Sequence, residues 1–183
     1  MINQRKSHQA FNQIYFWTAT INNWQCILEA DSNKKKIIEI LEMLSSKKLV
    51  TVYAFVIMPN HIHVIWEQHD FYGKETPLAA FMKITSRYLL KQLEIQGIDH
   101  AFKVGKANKS REIWKRDSLA IELYSRNIAF QKLEYVHANP ISGKWKLAKD
   151  FISYPFSSAR YYELAKNDFG FLKNLCHLFD GYC

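Results

Sequence analysis

Along this chain the apolar positions switch repeatedly between a spacing of two and a spacing near 3.6, and each switch marks an element. Ile14 to Ile21 is dense in aromatic and β-branched residues and predicts a first strand. From there to about Ser46, Ile37, Ile38, Leu41 and Leu44 recur at helical spacing, with Ser32 or Asn33 as the expected cap. Lys34, Lys35 and Lys36 in the first turn carry the wrong sign for a helix N-terminus, so a solvated face is expected there. Leu49 to Met58 and Ile62 to Glu67 read as two strands joined by a turn at Met58-Pro59-Asn60. Pro77 to about Gln96 returns to helical spacing through Leu78, Phe81, Met82, Tyr88 and Leu89. Gly97 to Arg111 is polar and basic, and a loop is expected. A fourth strand is predicted within Ile113 to Leu123, then a helix from Ser125 or Asn127 that Pro140 must end. Beyond Ile141 the chain is irregular and aromatic, with one short helix predicted from Ser157 to Lys166.

The order β-α-β-β-α-β with a final helix is the split βαβ, or ferredoxin-like, pattern. It predicts an α+β fold with an antiparallel sheet covered by helices on one face. A length of 183 residues fits one domain. Such a fold serves many functions, so the chemistry must be read from its side chains.

Two short segments carry candidate chemistry. In His61-Ile62-His63 the strand alternation sends both imidazoles to one face and Ile62 to the other. The pair is spaced either to share one metal ion or to lie on a solvated sheet face. In Tyr135-Val136-His137-Ala138-Asn139-Pro140, Tyr135 and Asn139 stand four apart and share one helix face, whereas His137 points elsewhere. A tyrosine hydroxyl at a metal site can act as a nucleophile, and an amide oxygen can complete a ligand set. An ordinary amphipathic helix end has the same spacing. Tyr124 lacks an asparagine four residues on and ranks below Tyr135.

Composition narrows the partners. A formal charge of +8 and a pI near 9.3 favour a polyanion, and 48% hydrophobic residues supply a core. Two basic stretches, Lys103, Lys106, Lys109, Arg111, Lys115 and Arg116, then Lys144, Trp145 and Lys146, combine charge with an aromatic platform as single-stranded nucleic acid requires. The six glycines form no phosphate-cradling loop, so no nucleotide cofactor is expected. No apolar run is long enough for a membrane span, and three scattered cysteines point to unpaired thiols in a reducing cytoplasm.

Met58-Pro59-Asn60-His61-Ile62-His63-Val64-Ile65 resembles the histidine–hydrophobic–histidine signature of the HUH single-tyrosine transposases. Leu133 to Ile141 resembles their tyrosine helix. Asparagine four residues after the tyrosine, Ile113-Trp114-Lys115-Arg116-Asp117 before that helix and Tyr154-Pro155-Phe156-Ser157-Ser158 after it are similar to the REP-associated tyrosine transposase branch. The resemblance covers about residues 53–162 of a single domain and leaves about 163–183 as a C-terminal extension. It implies that His61, His63 and Asn139 bind Mg2+ or Mn2+, although imidazole ligands alone favour zinc or another late transition metal. It also implies that Tyr135 attacks a DNA phosphodiester, leaving a 5′-phosphotyrosine link and a free 3′-hydroxyl. The expected partners are single-stranded or hairpin DNA and a second copy of the chain, as a homodimer. The expected activity is that of a transposase-like single-strand endonuclease and strand transferase. The alternative is a non-catalytic single-stranded nucleic-acid-binding protein derived from one.

Overall fold

The computed structural model describes residues 8–106, 109–116 and 118–179, the side chains of 104–106, 109 and 110 excepted. Its elements run β1 (Ile14–Thr20), α1 (Asp31–Ser46), β2 (Val50–Met58), β3 (His61–Gln68), α2 (Pro77–Ile95), β4 (Lys103–Lys106), β5 (Lys109–Arg111), β6 (Leu119–Glu122), α3 (Arg126–Ala138) and α4 (Ala159–Leu164). Strands β2, β3, β1 and β6 pair in that order, every pair antiparallel. This is the ferredoxin-like α+β arrangement that the spacing predicts, in which each βαβ unit is split by an intervening strand.

The alternation of β1 and β3 divides the residues between the two faces. Trp17 stands opposite Val64 in the register, and its indole stacks on Trp66 at 5.3 Å and meets the edge of Phe81 from α2 at 5.6 Å. Helices α1 and α2 pack against each other, and this face holds the deepest part of the core. Phe16, on the opposite face, meets Tyr135 of α3 at 5.8 Å. Helix α3 therefore closes the second face, so helices cover both sides of the sheet and not only the one side expected. Caps fix where the helices begin: Thr76 accepts from the Ala79 amide ahead of Pro77, and Ser125 accepts from the Ile128 amide.

Four expectations are corrected. The segment expected as a loop up to Arg111 contains a 3-10 turn and the β4–β5 pair. Its lysines and glycine lack the apolar alternation that marks a half-buried strand. Helix α1 starts at Asp31 without a side-chain cap, because the Asn33 amide donates instead to the Ile27 carbonyl at 2.7 Å. Lys34 is buried, not solvated: its ammonium donates to the Glu29 carbonyl and to Asp31, and it lies 4.4 Å from the centre of the Phe156 ring. Cys26 is free and exposed, but Cys176 is disulfide-bonded, so the thiols no longer argue for a reducing compartment. Among the described residues no helix is long and apolar enough to cross a membrane.

The chain beyond α3 belongs to this core. Ser157 bridges to Val56 and Leu172 to Val52, which covers the outer edge of β2, and Leu172 and Leu175 are buried. Phe81, with no exposed surface and three tryptophan neighbours, is the most informative place to test the packing. Phe81→Ala should lower stability by about 3–5 kcal/mol. The check is a urea melt in which the midpoint falls and the slope stays constant.

Candidate metal and tyrosine site

The imidazoles of His61 and His63 share one face of β3, with ring centres 4.8 Å apart. Register places Thr20 opposite His61 and Thr18 opposite His63, and the Thr18 hydroxyl sits 2.7 Å from His63 Nδ1. Phe16 stacks on the His63 ring at 5.3 Å. From the other side α3 delivers Tyr135 and Asn139. Asn139 keeps right-handed helical dihedrals although it precedes Pro140, so the four-residue spacing still puts both side chains on one face. The Tyr135 ring centre lies 5.2 Å from that of His63, and Asn139 Oδ1 lies 3.3 Å from His61 Nε2. Together with Trp24, Leu119 and Trp145 these residues line a cleft of about 320 Å³. Tyr135 is 49% exposed at its mouth, whereas His61, His63 and Asn139 are buried.

Hydrogen bonding fixes the His61 tautomer. The Asn60 amide nitrogen donates to the Trp24 carbonyl at 3.1 Å, so its Oδ1 faces His61 Nδ1 at 2.7 Å and can only accept. The proton is therefore on Nδ1, and the Nε2 lone pair is directed at the carbonyl oxygen of Asn139. Two acceptors face each other, an arrangement that a cation between them resolves. His63 Nε2 is buried with no hydrogen-bond partner, and the Thr18 hydroxyl can accept from Nδ1, which leaves that lone pair free as well. No cluster of three His, Cys, Asp or Glu side chains occurs among the described residues, so an amide is the third donor this site offers. Two imidazole nitrogens and one amide oxygen, all neutral, make a donor set that fits a divalent cation.

Burial, opposed by the contact with Asn139 and aided by the nearby Lys144 charge, pushes His61 down to about 4. His63 is held well below its ordinary value by burial first, then by His61 and Lys132. Both rings are neutral at pH 7, as ligands must be.

The other expected residues divide. His137 is buried away from the cleft and meets the Ser158 hydroxyl at 2.9 Å, and Tyr124 is exposed and does not line the cleft. Trp145 lies 5.9 Å from His61, with the Lys144 ammonium 5.1 Å from its own ring, and Lys146 is exposed beside them. Lys115 and Arg116 are exposed and line a second groove with Lys83 and Arg87. Lys103 is exposed, whereas Arg111 is engaged by Glu94 at 3.3 Å and by Asp99. The side chains of Lys106 and Lys109, and all of Asp117, lie outside the described residues. Sequence reasoning did not single out Thr18, Thr20, Trp24, Asn60 or Lys132. The first two were legible as alternate positions of β1, and Asn60 as the residue beside His61.

A ferredoxin-like sheet with a histidine pair on one face and a tyrosine helix laid over it is the class of architecture the chain presents. No protein-family model and no curated protein matches the chain. Among solved structures, it is similar to a REP-associated tyrosine transposase bound to a REP hairpin, at 18% identity and a TM-score of 0.55, over 94% of this chain and 89% of that one. It is also similar, at 13% identity and a TM-score of 0.44 over 72% of this chain and 94% of the other, to a Deinococcus radiodurans R1 protein whose assignment as a transposase is provisional. The first likeness shows that the two share a fold.

Titration follows from the geometry. His61 and His137, both lowered to about 4 in the fold mainly by burial, take up protons near 6.5 once unfolded. The unfolded state therefore binds more protons between those values, and stability present above pH 6.5 is lost as pH falls towards 4. NMR of the imidazoles at pH 5.5 should find both rings neutral. A urea midpoint that is unchanged between pH 7 and 4.5 would contradict this.

Proposed function

We propose that this protein is a metal-dependent single-strand DNA endonuclease and strand transferase of the transposase type. The observation that carries the reading is the meeting, within one chain, of His61, His63 and Asn139 in one cleft, with the Tyr135 phenol 5.2 Å from His63, ring centre to ring centre. The shared fold with a hairpin-bound tyrosine transposase supports it, and an unpaired strand of a DNA hairpin is the substrate class that follows.

His61, His63 and Asn139 would hold Mg2+ or Mn2+, and the neutral ligands leave the cation's charge to polarise a phosphate oxygen. The remaining steps belong to the chain. The Tyr135 hydroxyl gives up its proton to solvent, and Lys132, whose ammonium is 5.7 Å from the centre of the Tyr135 ring, offers its charge to the phosphate. Tyr135 Oη then bonds to phosphorus, and the bond from phosphorus to the 3′ oxygen breaks. That oxygen takes a proton from solvent, which leaves a 5′-phosphotyrosine and a free 3′-hydroxyl. Attack by a 3′-hydroxyl on the phosphotyrosine reverses the exchange. One phosphodiester replaces another, so no nucleotide need be consumed. Because Tyr135 and both histidines come from one chain, the expected homodimer adds a second site and is not required to complete the first.

Incubation with pooled single-stranded hairpin oligonucleotides and Mn2+ should give a covalent protein–DNA band on a denaturing gel, suppressed by EDTA. Tyr135→Phe should abolish the band and keep the affinity within about twofold, since the phenol is exposed and only its hydroxyl is removed. Cleavage that survives in Tyr135→Phe would reject this nucleophile. Binding without any adduct from the unaltered chain would favour the non-catalytic binder.

Phosphate contacts from Lys115, Arg116, Lys144 and Lys146 should appear as counterion release. With four contacts at roughly −0.7 per phosphate on a single strand, the logarithm of the binding constant should fall with the logarithm of salt at a slope of about −3. Anisotropy titrations at several salt concentrations measure the slope, and a flat response counts against the basic surface.

A further inference from the structure

We infer that Trp24 is a stacking platform that receives an unpaired base at the mouth of the cleft. The inference rests on the nuclease reading above and specifies how the substrate is held. Trp24 ends the 3-10 turn Asn22–Trp24 that follows β1, and it lines the same cleft as His61, His63, Tyr135 and Asn139 while remaining 57% exposed. Its backbone is strained. Asn23 and Trp24 are successive left-handed residues, with φ of 53° and 57°, a conformation in which a bulky side chain is an outlier. An exposed indole recovers little packing in return. Strain of this kind persists where the surroundings impose it.

The surroundings here are the site itself. The Asn60 amide that donates to the Trp24 carbonyl is the one that fixes the His61 tautomer, and the Ile21 amide donates to the Asn60 carbonyl at 2.8 Å. The platform and the candidate ligand are thus positioned by a single side chain. Lys115 lies 5.2 Å from the centre of the Trp24 ring, placing a cation beside the platform. Trp145 repeats the pairing near His61, with Lys144 over its ring. Two indole–ammonium pairs at one cleft provide what a single strand requires, π-faces for bases and charge for the backbone. A paired base has its faces occupied by its neighbours, so Trp24 selects unpaired nucleotides.

The test is anisotropy with a labelled oligothymidylate and with a blunt duplex of equal length. The full-length protein is used in EDTA, so that binding is read without chemistry. Trp24→Ala and Trp24→Leu should each weaken single-strand binding about tenfold or more, Trp24→Phe should retain most of it, and duplex binding should be nearly unchanged. The leucine variant keeps apolar bulk without a π-face, and thermal melts confirm that all three fold. Affinity within twofold of the unaltered chain in both Trp24→Ala and Trp24→Leu overturns the platform and leaves the nuclease reading standing. If the unaltered chain does not bind the oligonucleotide, both fail together.

Discussion

The two-residue alternation of β3, locked in register against β1, is the constraint from which the site follows. Ile62 and Val64 are buried against the α1–α2 layer, and the intervening His61 and His63 are turned to the opposite face. A slip of one residue would drive both imidazoles into an apolar core and expose the aliphatic side chains to α3. The stack of Trp17 on Trp66, closed by Phe81, makes that slip expensive, because the Trp66 indole would have to leave both rings and turn to the other face. The histidine pair is therefore positioned by packing on the side of the sheet that it does not occupy.

On its own side the site combines neutral donors with peripheral cations. Burial keeps both imidazoles uncharged, and the Asn139 amide carries no charge. Lys132 and Lys144 stand at the edges, close enough to disfavour protonation of His63 and His61 respectively. In the proposed reaction a phosphodiester entering the cleft would meet this positive charge before any proton moves. Preorganised donors and charge of this kind act most strongly where water is partly excluded, as it is around His63.

What was legible in the sequence was local. His61, His63, Tyr135 and Asn139 announce themselves through spacings of two and four, which the strand and helix convert directly into shared faces. The strand order followed from the succession of elements. Their convergence was not legible from spacing, since His61 and Asn139 are far apart in the chain and only the fold sets the 3.3 Å between them. The resemblance supplied that link. Trp24 was invisible for a different reason: its role depends on a strained turn and on an amide from Asn60, neither of which has a periodic signature. The β4–β5 pair escaped because its residues are mostly polar, and the Lys34 ammonium because its partners include a backbone carbonyl, which any sequence offers.

The irregular region past α3 shows why an absence of periodicity is not an absence of structure. The Ser158 hydroxyl accepts from the Phe55 amide at 3.0 Å and stands 3.2 Å from the Phe55 carbonyl, to which it donates, while its amide donates to the same carbonyl. His137 Nε2, 2.9 Å away, then acts as a donor to the remaining lone pair. One serine thus ties the edge of β2 to the buried side of α3. Tyr135 and Asn139 project from that helix towards β3, so their distance from the histidines is set partly by this tie. Tyr154 adds a bond from its hydroxyl to the Ile57 carbonyl at 2.7 Å, on the same strand edge. Single-residue bridges of this sort leave no alternation to read, yet they determine how closely a helix can settle onto a sheet, and with it whether a phenol and an amide reach the imidazoles.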